Sequence, residues 1–258
     1  MLAVVSPAKK LDFETDVPEM AVSQPAFLDD TEELIEVARK KSRGDLMKLM
    51  GISENLADLN YQRFQHFSRP FDLSNAKPAI FAFRGDTYVG LDADTMKDAD
   101  IDWAEDHFRM LSGLYGLLKP RDLMQPYRLE MGTRLENPRG KDLYAFWGDK
   151  IAKEINKLTE GHKDRSLINL ASHEYFKSVK TKLLDGPVIT PVFKEVKGGA
   201  AKVVGFSAKR ARGMMARYMI DNRLENPQDL KKFNVDGYCY QDDLSNETEW
   251  VFTRVHDQ

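Results

Sequence analysis

Apolar residues along the chain recur in short runs between polar, turn-forming stretches, a pattern of alternating strands and helices. Leu2 to Ser6 is an apolar, β-branched run closed by Pro7, the signature of a buried strand leading into a loop that carries Lys9 and Lys10. A helical region is predicted from about Phe27 to Phe67, its first helix capped by Asp29 or Asp30, with Leu34, Ile35 and Ala38 inward and Arg39 to Lys41 near its C-terminus. Ala79 to Phe83 reads as a second core strand, followed by the turn Arg84-Gly85-Asp86. A helix is expected from about Ile101 to Leu111, capped by Asp100, with Ala104, Phe108 and Leu111 on one face. Lys141 to about Leu158 gives an aromatic-rich helix, Leu167 to Ala171 a third strand, and Ser172 an N-cap for the segment His173-Glu174-Tyr175. Val188 to Phe193 and Ala201 to Phe206 flank Gly198-Gly199 as a β-hairpin, and Tyr238 to Gln241 and Thr248 to Arg254 are terminal strands.

The clearest amphipath is the helix SAKRARGMMARYMIDNRL. At 100° per residue, Ala208, Ala211, Met214, Met215, Tyr218 and Met219 share a face, with Arg210 and Arg217 on one rim and Lys209 and Arg212 on the other. Gly213 falls on the outward side, where it costs helix stability of ~1 kcal/mol, so the pattern implies that something approaches it closely. With no internal repeat and no Pro-, Gly- or Ser-rich linker, the expected class is α+β: a single domain over residues 1–258, a mixed β-sheet wrapped by helices, with a helical subregion at about 27–70.

Two segments have the outline of phosphate-binding turns. In LMKLMGISENLADLNYQRF, apolar pairs flank Gly51-Ile52-Ser53 in the manner of a helix-hairpin-helix, with Ser53 in place of the second glycine and with Lys48 and Arg63 adding charge. The same residues also fit an ordinary helical pair with Gly51 as C-cap and Ser53 as N-cap. The second candidate is LSGLYG, within the run His107 to Gly132, although Lys119-Pro120 interrupts the helix that should follow.

Composition narrows the class. At 42% apolar and 31% charged residues the chain is globular, and no apolar run approaches the ~18 residues of a membrane span. The N-terminus reads as a strand and not a secretory signal, and a single cysteine, Cys239, excludes an internal disulfide; both point to the cytoplasm. Cys239 is expected as a buried strand residue. The net charge is −3, yet charge is segregated: Arg84 to Asp106 holds eight acids against two bases, and Arg109 to Lys141 seven bases against three acids. A local field of that kind can steer an anionic partner.

Common nucleotide and hydrolase signatures are missing, no histidine pair has metal-ligand spacing, and neither a metal nor a cofactor is expected. Polar groups at strand ends (Ser6 and Lys9, Arg84 and Asp86, Asn169 and Ser172, Ser207 and Lys209) give an alternative, an enzyme on a small phosphorylated or nucleotide-like substrate, with Glu174, Tyr175 or Asp86 as candidates for acid or base. Convergence in an enclosed pocket of ~300 Å³ or more would favour that reading, an open groove a nucleic acid.

The motifs SPAKKLDF, FRGDTYVGL, MLSGLYGLLKPRDLMQPYRLEMGTRLEN, GKDLYAFWGDKI, NLASHEYFKSV and FSAKRARGMMARYMIDNRL are similar to the YaaA family of bacterial peroxide-stress proteins, over nearly the whole chain. The resemblance implies a cytosolic protein of the hydrogen peroxide response that limits iron-dependent damage and is associated with DNA repair. It also implies a helix-hairpin-helix element and a basic cleft that binds duplex, bubbled or branched DNA without sequence preference, with Lys9, Arg128, Lys177, Lys209, Arg210 and Arg212 as the matching bases. It supplies no catalytic residue. Lys48, Gly51 and Ser53 of the hairpin and Arg217 of the basic helix complete the set of candidate phosphate contacts, and Arg128 is expected to face the same cleft as that helix.

Overall fold

In the computed structural model residues 1–255 are described; His256, one of the five histidines, lies outside them. Strand β1 (Leu2–Val5) is wholly buried, and β2 (Lys10–Leu11) pairs with a short strand met later. Helices α1 (Leu28–Arg39), α2 (Arg43–Met50) and α3 (Glu54–His66) form the expected helical subregion. Neither Asp29 nor Asp30 caps α1: both lie in its first turn, and Asp30 turns inward to Arg139 Nη1 at 2.5 Å and Lys150 Nζ at 2.8 Å. Buried and doubly paired, that carboxylate holds α1 against the loop before the aromatic helix.

The predicted strand at Ala79 to Phe83 is corrected to β3 (Lys77–Pro78), a helical turn α4 (Ala79–Ala82) and β4 (Phe83–Arg84), the partner of β2. Its residues are buried on every side, so hydrophobicity alone carried no period to tell helix from strand. The N–H groups of Ala79 and Ile80 donate to the carbonyls of Asp122 and Pro120 and find no strand partner. After α5 (Asp86–Leu91), helix α6 (Asp98–His107) ends four residues earlier than the apolar spacing suggested, and Phe108–Ser112 is strand β5. Asp100 sits in the first turn and accepts from the Lys97 N–H at 2.9 Å.

Strands β6 (Gly116–Leu118) and β7 (Leu123–Met124) follow. β6 returns antiparallel to β5, so LSGLYG is a buried β-hairpin and not an exposed phosphate-binding turn. A Cβ on Gly113 would sit 2.1 Å from the Leu129 carbonyl oxygen, and one on Gly116 2.7 Å from the Trp147 ring; these glycines serve packing. The single aromatic helix predicted at 141–158 is two, α7 (Leu143–Trp147) and α8 (Lys150–Thr159), parted at Gly148, whose φ of +52° ends the first.

The last third comprises β8 (Leu167–Leu170), α9 (His173–Phe176), β9 (Val188–Lys197), β10 (Ala200–Lys202), α10 (Gly205–Asp221), β11 (Cys239–Tyr240) and β12 (Glu249–Val255). The main sheet runs β11-β12-β9-β8-β1-β5-β6, with β10 folded onto β9. From β12 through β5 every neighbouring pair is parallel, with Ala3 opposite both Phe108 and Ile168. The inner strands β1, β5 and β8 are buried at every position, covered on both faces, whereas β9 alternates buried and half-buried residues. Cys239 lies in a strand as expected but is exposed: Tyr238 takes the inward position beside it. Among the described residues no helix is long and apolar enough to cross a membrane.

The outward approach inferred for Gly213 is made by the chain itself. Gly213 and Gly90 face one another where α10 crosses α5, and a Cβ would lie 1.8 Å from the Thr87 carbonyl oxygen at the first and 2.0 Å from that of Arg210 at the second. The amphipathic face of α10 is therefore wider than sequence spacing indicated: Ala208, Ala211, Met215 and Met219 are buried, and so are Gly213 and Ala216.

A ring stack closes the N-terminal edge of the sheet. His107 lies between Trp103 (3.9 Å between centroids) and His162 (4.6 Å), and His107 Nδ1 is 2.9 Å from the Met1 carbonyl oxygen. Desolvation, with help from the nearby Met1 ammonium and His107, pushes His162 down to about 4, while burial also lowers His107 and the Met1 amine. Asp106 and Glu225 oppose those shifts on His107 without cancelling them. Between about pH 4 and 6.5 the unfolded chain thus binds a proton at residue 162 that the folded chain does not, so this group's contribution to stability falls as pH drops through that window. Asp122, pushed up to about 6 by burial, acts in the opposite sense. The expected result isolates one group: His162→Phe, which keeps an aromatic ring and removes the titration, shows a smaller fall in Tm between pH 6.5 and 4.5 than the parent. An equal fall would show that residue 162 does not titrate as described.

Candidate functional site

The sequence order of the central strands fixes where a site can form. The chain runs from β1 to β5 on one side, then returns to β8 on the other, so the connections diverge at the β1–β8 seam. In parallel sheets, that divergence leaves a crevice beyond the carboxyl ends of the strands. Ser6 follows β1 and Ser172 follows the end of β8. Ser6 Oγ donates to Ser172 Oγ at 3.2 Å and accepts the Ser172 N–H at 2.8 Å, which ties the two strand ends together. Ser172 is also the N-cap of α9, its Oγ accepting from the Tyr175 N–H, as its sequence position suggested.

Above this seam lies a pocket of about 450 Å³. Its walls are the loop Ser6–Lys10, the segment Arg84–Tyr88 at the start of α5, the loop Tyr127–Glu130, the start of α9, and Lys209 and Arg212 of α10. Six bases (Lys9, Lys10, Arg84, Arg128, Lys209, Arg212) stand against three acids (Asp86, Glu130, Glu174). The Gly90–Gly213 crossing sets the distance between the α5 and α10 walls.

Several of these charges are already engaged. Glu130 takes Lys9 at 2.7 Å and lies 3.7 Å from Arg128. Arg84 spans Asp12 at 3.1 Å and Asp94 at 2.8 Å, and Glu174 Oε1 accepts the Gly132 N–H at 2.9 Å. Arg212 differs. It is partly buried, desolvation lowers its pKa, and among the described residues no carboxylate or other acceptor pairs with it. Arg128 also has a buried Nε without a partner. Guanidinium donors left open beside a cavity are suited to an anion, and their planar fork matches phosphate.

The apolar part of the lining comes from Tyr88, Tyr127 and Tyr175, all buried. Burial raises all three phenols above their ordinary value, so at neutral pH Tyr175 is a hydrogen-bond donor and not a base. Tyr88 OH donates to the Ser6 carbonyl at 3.0 Å and Tyr127 OH pairs with Ser112 Oγ at 2.6 Å, which fixes both rings.

Of the bases singled out in the sequence, the pocket gathers Lys9, Arg128, Lys209 and Arg212, and of the acid–base candidates Asp86, Glu174 and Tyr175. Arg210 is exposed on α10 outside the lining. Arg217 is held by its own chain, with Nε on Asp221 at 2.7 Å and Nη1 on the Asp92 carbonyl at 2.8 Å. Lys177 is exposed, its ammonium 4.8 Å from the centre of the Tyr144 ring. Lys48, Gly51 and Ser53 belong to the α2–α3 pair and do not line the pocket; Gly51 ends α2 at φ +61° and Ser53 Oγ accepts the Leu56 N–H at 3.4 Å. Tyr88, Tyr127 and Glu130 escaped sequence reasoning, because nothing local marks a residue that meets its neighbours only through the fold. Among the described residues no group of three or more His, Cys, Asp or Glu is placed to hold a metal ion.

Comparison with known proteins agrees over the length of the chain. The family model described as "Peroxide stress protein YaaA" matches residues 1–244. A UPF0246 protein of Magnetococcus marinus is 58% identical over 255 residues, covering 98% of this chain and 99% of its own. Another from Alteromonas mediterranea is 56% identical over 254 residues, 98% of each chain, and one from an Azoarcus species is 52% identical over 261 residues, all of each chain. The pocket is thus part of a chain that belongs to the YaaA family of peroxide stress proteins.

Proposed function

We propose that the protein binds phosphate groups of DNA, without sequence preference, through the basic pocket at the β1–β8 seam, and that it acts in this way during peroxide stress in the cytoplasm to limit iron-dependent damage. The observation that carries the reading is Arg212, a desolvated guanidinium without a partner among the described residues, in the same lining as Arg128, whose buried Nε has no partner either. Phosphate contacts position a strand without reading its bases. The volume of about 450 Å³ admits part of one strand and not a duplex, so an end, a bubble or a branch point would supply the nucleotide that enters. The α2–α3 pair, with Lys48 beside Gly51 and Ser53, is proposed as the helix-hairpin-helix element that holds adjoining duplex.

The same volume, above ~300 Å³ but half open to solvent, supports a second reading, an enzyme on a small phosphorylated or nucleotide-like substrate. Of the three acids in the lining Glu130 is paired with Lys9, which leaves Glu174 and Asp86 as the acid–base candidates, and Tyr175 would be a donor.

One titration separates the two. Displacement of a labelled single-stranded oligonucleotide by unlabelled oligonucleotide, duplex and nucleoside monophosphate is measured at several salt concentrations. The DNA reading expects the oligonucleotide to compete far better than the mononucleotide. It also expects Lys209→Ala to weaken every sequence alike and to reduce the slope of log K against log salt by about one. A mononucleotide that competes as well as the oligonucleotide would overturn it in favour of the small-substrate enzyme.

A further inference from the structure

A feature of α10 outside the pocket lining has no role in the fold. Phe206, in the first turn, is 67% exposed, and Val203 just before the helix is 55% exposed. Among the described residues no aromatic contact involves Phe206. An isolated exposed apolar residue needs no explanation; its neighbours give this one a context. Lys209 and Arg210 lie three and four positions on, the spacing at which side chains on a helix surface are adjacent. Helical side chains lean toward the N-terminus, so both stems reach back toward the Phe206 ring. Both are exposed, and neither has a partner among the described residues. Lys209 also lines the pocket, as does Arg212 one turn further along. One helix therefore presents, in order, a bare aromatic ring, two open cations and a half-buried guanidinium leading into a cavity.

We infer that Phe206 is a stacking platform for an unpaired base, placed so that the phosphate adjoining that base is held by Lys209 and Arg212. The inference rests on the phosphate-binding reading above and adds a base to it: the ligand is a single-stranded nucleotide within a strand. Aromatic rings interleaved with bases are the usual means of binding single strands without sequence preference, because every base has a π face. A fully paired duplex, its bases stacked on one another, offers nothing to Phe206.

The test uses the full chain and a fluorescently labelled single-stranded ten-nucleotide DNA, measured by anisotropy beside an abasic strand of the same length and charge. Phe206→Ala is expected to weaken binding of the normal strand roughly tenfold or more, to leave its salt dependence unchanged and to leave the abasic strand unaffected; Phe206→Trp retains the affinity. Arg212→Met weakens both strands. Equal affinity of Phe206→Ala and parent for the normal strand, with Arg212→Met still defective, would overturn the stacking role and leave the phosphate site standing. If neither variant changes binding, both readings fall. Because Phe206 is exposed, its substitution does not disturb the core, and an unchanged Tm checks this directly.

Discussion

Gly213→Ala is expected to cost about 3 kcal/mol or more of stability, at the upper end of what overpacking produces. The added methyl would lie 1.8 Å from the Thr87 carbonyl oxygen and 2.7 Å from the Leu91 nitrogen, and both are backbone atoms that cannot rotate away. Relief requires α5 and α10 to separate. Gly90 on the other helix is blocked in the same way by the Arg210 carbonyl, so the crossing cannot slide to a roomier register. For a chain of this length such a loss corresponds to a fall in Tm of roughly 6–12 °C. Gly205→Ala on the same helix is the control: nothing lies within 4 Å of its would-be Cβ, and its Tm should hardly move. Equal melting of the Gly213→Ala variant and the parent would show that the two helices do not meet at the described distance. Because α5 and α10, packed on one another, both line the pocket, the variant should also bind nucleic acid poorly at temperatures where it remains folded.

Arg212→Met should separate stability from function. The guanidinium is desolvated and, among the described residues, unpaired, so without ligand it is a net cost to the fold. Methionine occupies similar length without charge. The ligand-free variant is expected to melt no lower than the parent, and up to a few degrees higher, while oligonucleotide affinity falls by about 10- to 100-fold, the worth of a lost charge-assisted contact. Thermal melts and anisotropy titrations on one preparation check both halves. A variant that melts lower and binds normally would make Arg212 a structural residue and remove the observation on which the proposed function rests.

The legible parts of this molecule are those whose signal is local. β1, β8, the α1–α3 region, the β9–β10 turn at Gly198-Gly199 and α10 announce themselves by apolar runs, turn residues or a helical period, although the second hairpin strand, expected at Ala201 to Phe206, is only Ala200–Lys202, and Gly205 and Phe206 already belong to α10. The failures cluster where burial is complete. Ala79–Ala82 and Phe108–Ser112 are buried at every position, Arg109 and Ser112 included, so residue spacing could not distinguish a helical turn from a strand, and the decision belonged to partners distant in sequence: Pro120 and Asp122 for the first, β1 for the second. The site shows the same division. Lys9, Arg128, Lys209 and Arg212 were visible as bases near glycines and strand ends, whereas the pairing of Glu130 with Lys9 and the tyrosine lining depend on the tertiary fold. Gly213 was noticed for a sound reason, a costly glycine in a helix, and the neighbour it admits is α5.

The central position of β1 has a consequence for how the molecule comes into being. Its two partners, β5 and β8, lie more than a hundred residues downstream, with Ala3 opposite Phe108 on one side and Ile168 on the other. A nascent chain that has left the ribosome only as far as the α1–α3 region holds its most apolar strand with neither neighbour available. The helices can form early from local contacts, but the seam that carries Ser6 and Ser172 closes only after β8 has been made. The pocket is therefore a late product of synthesis, assembled when the first residues of the chain meet those from its latter half.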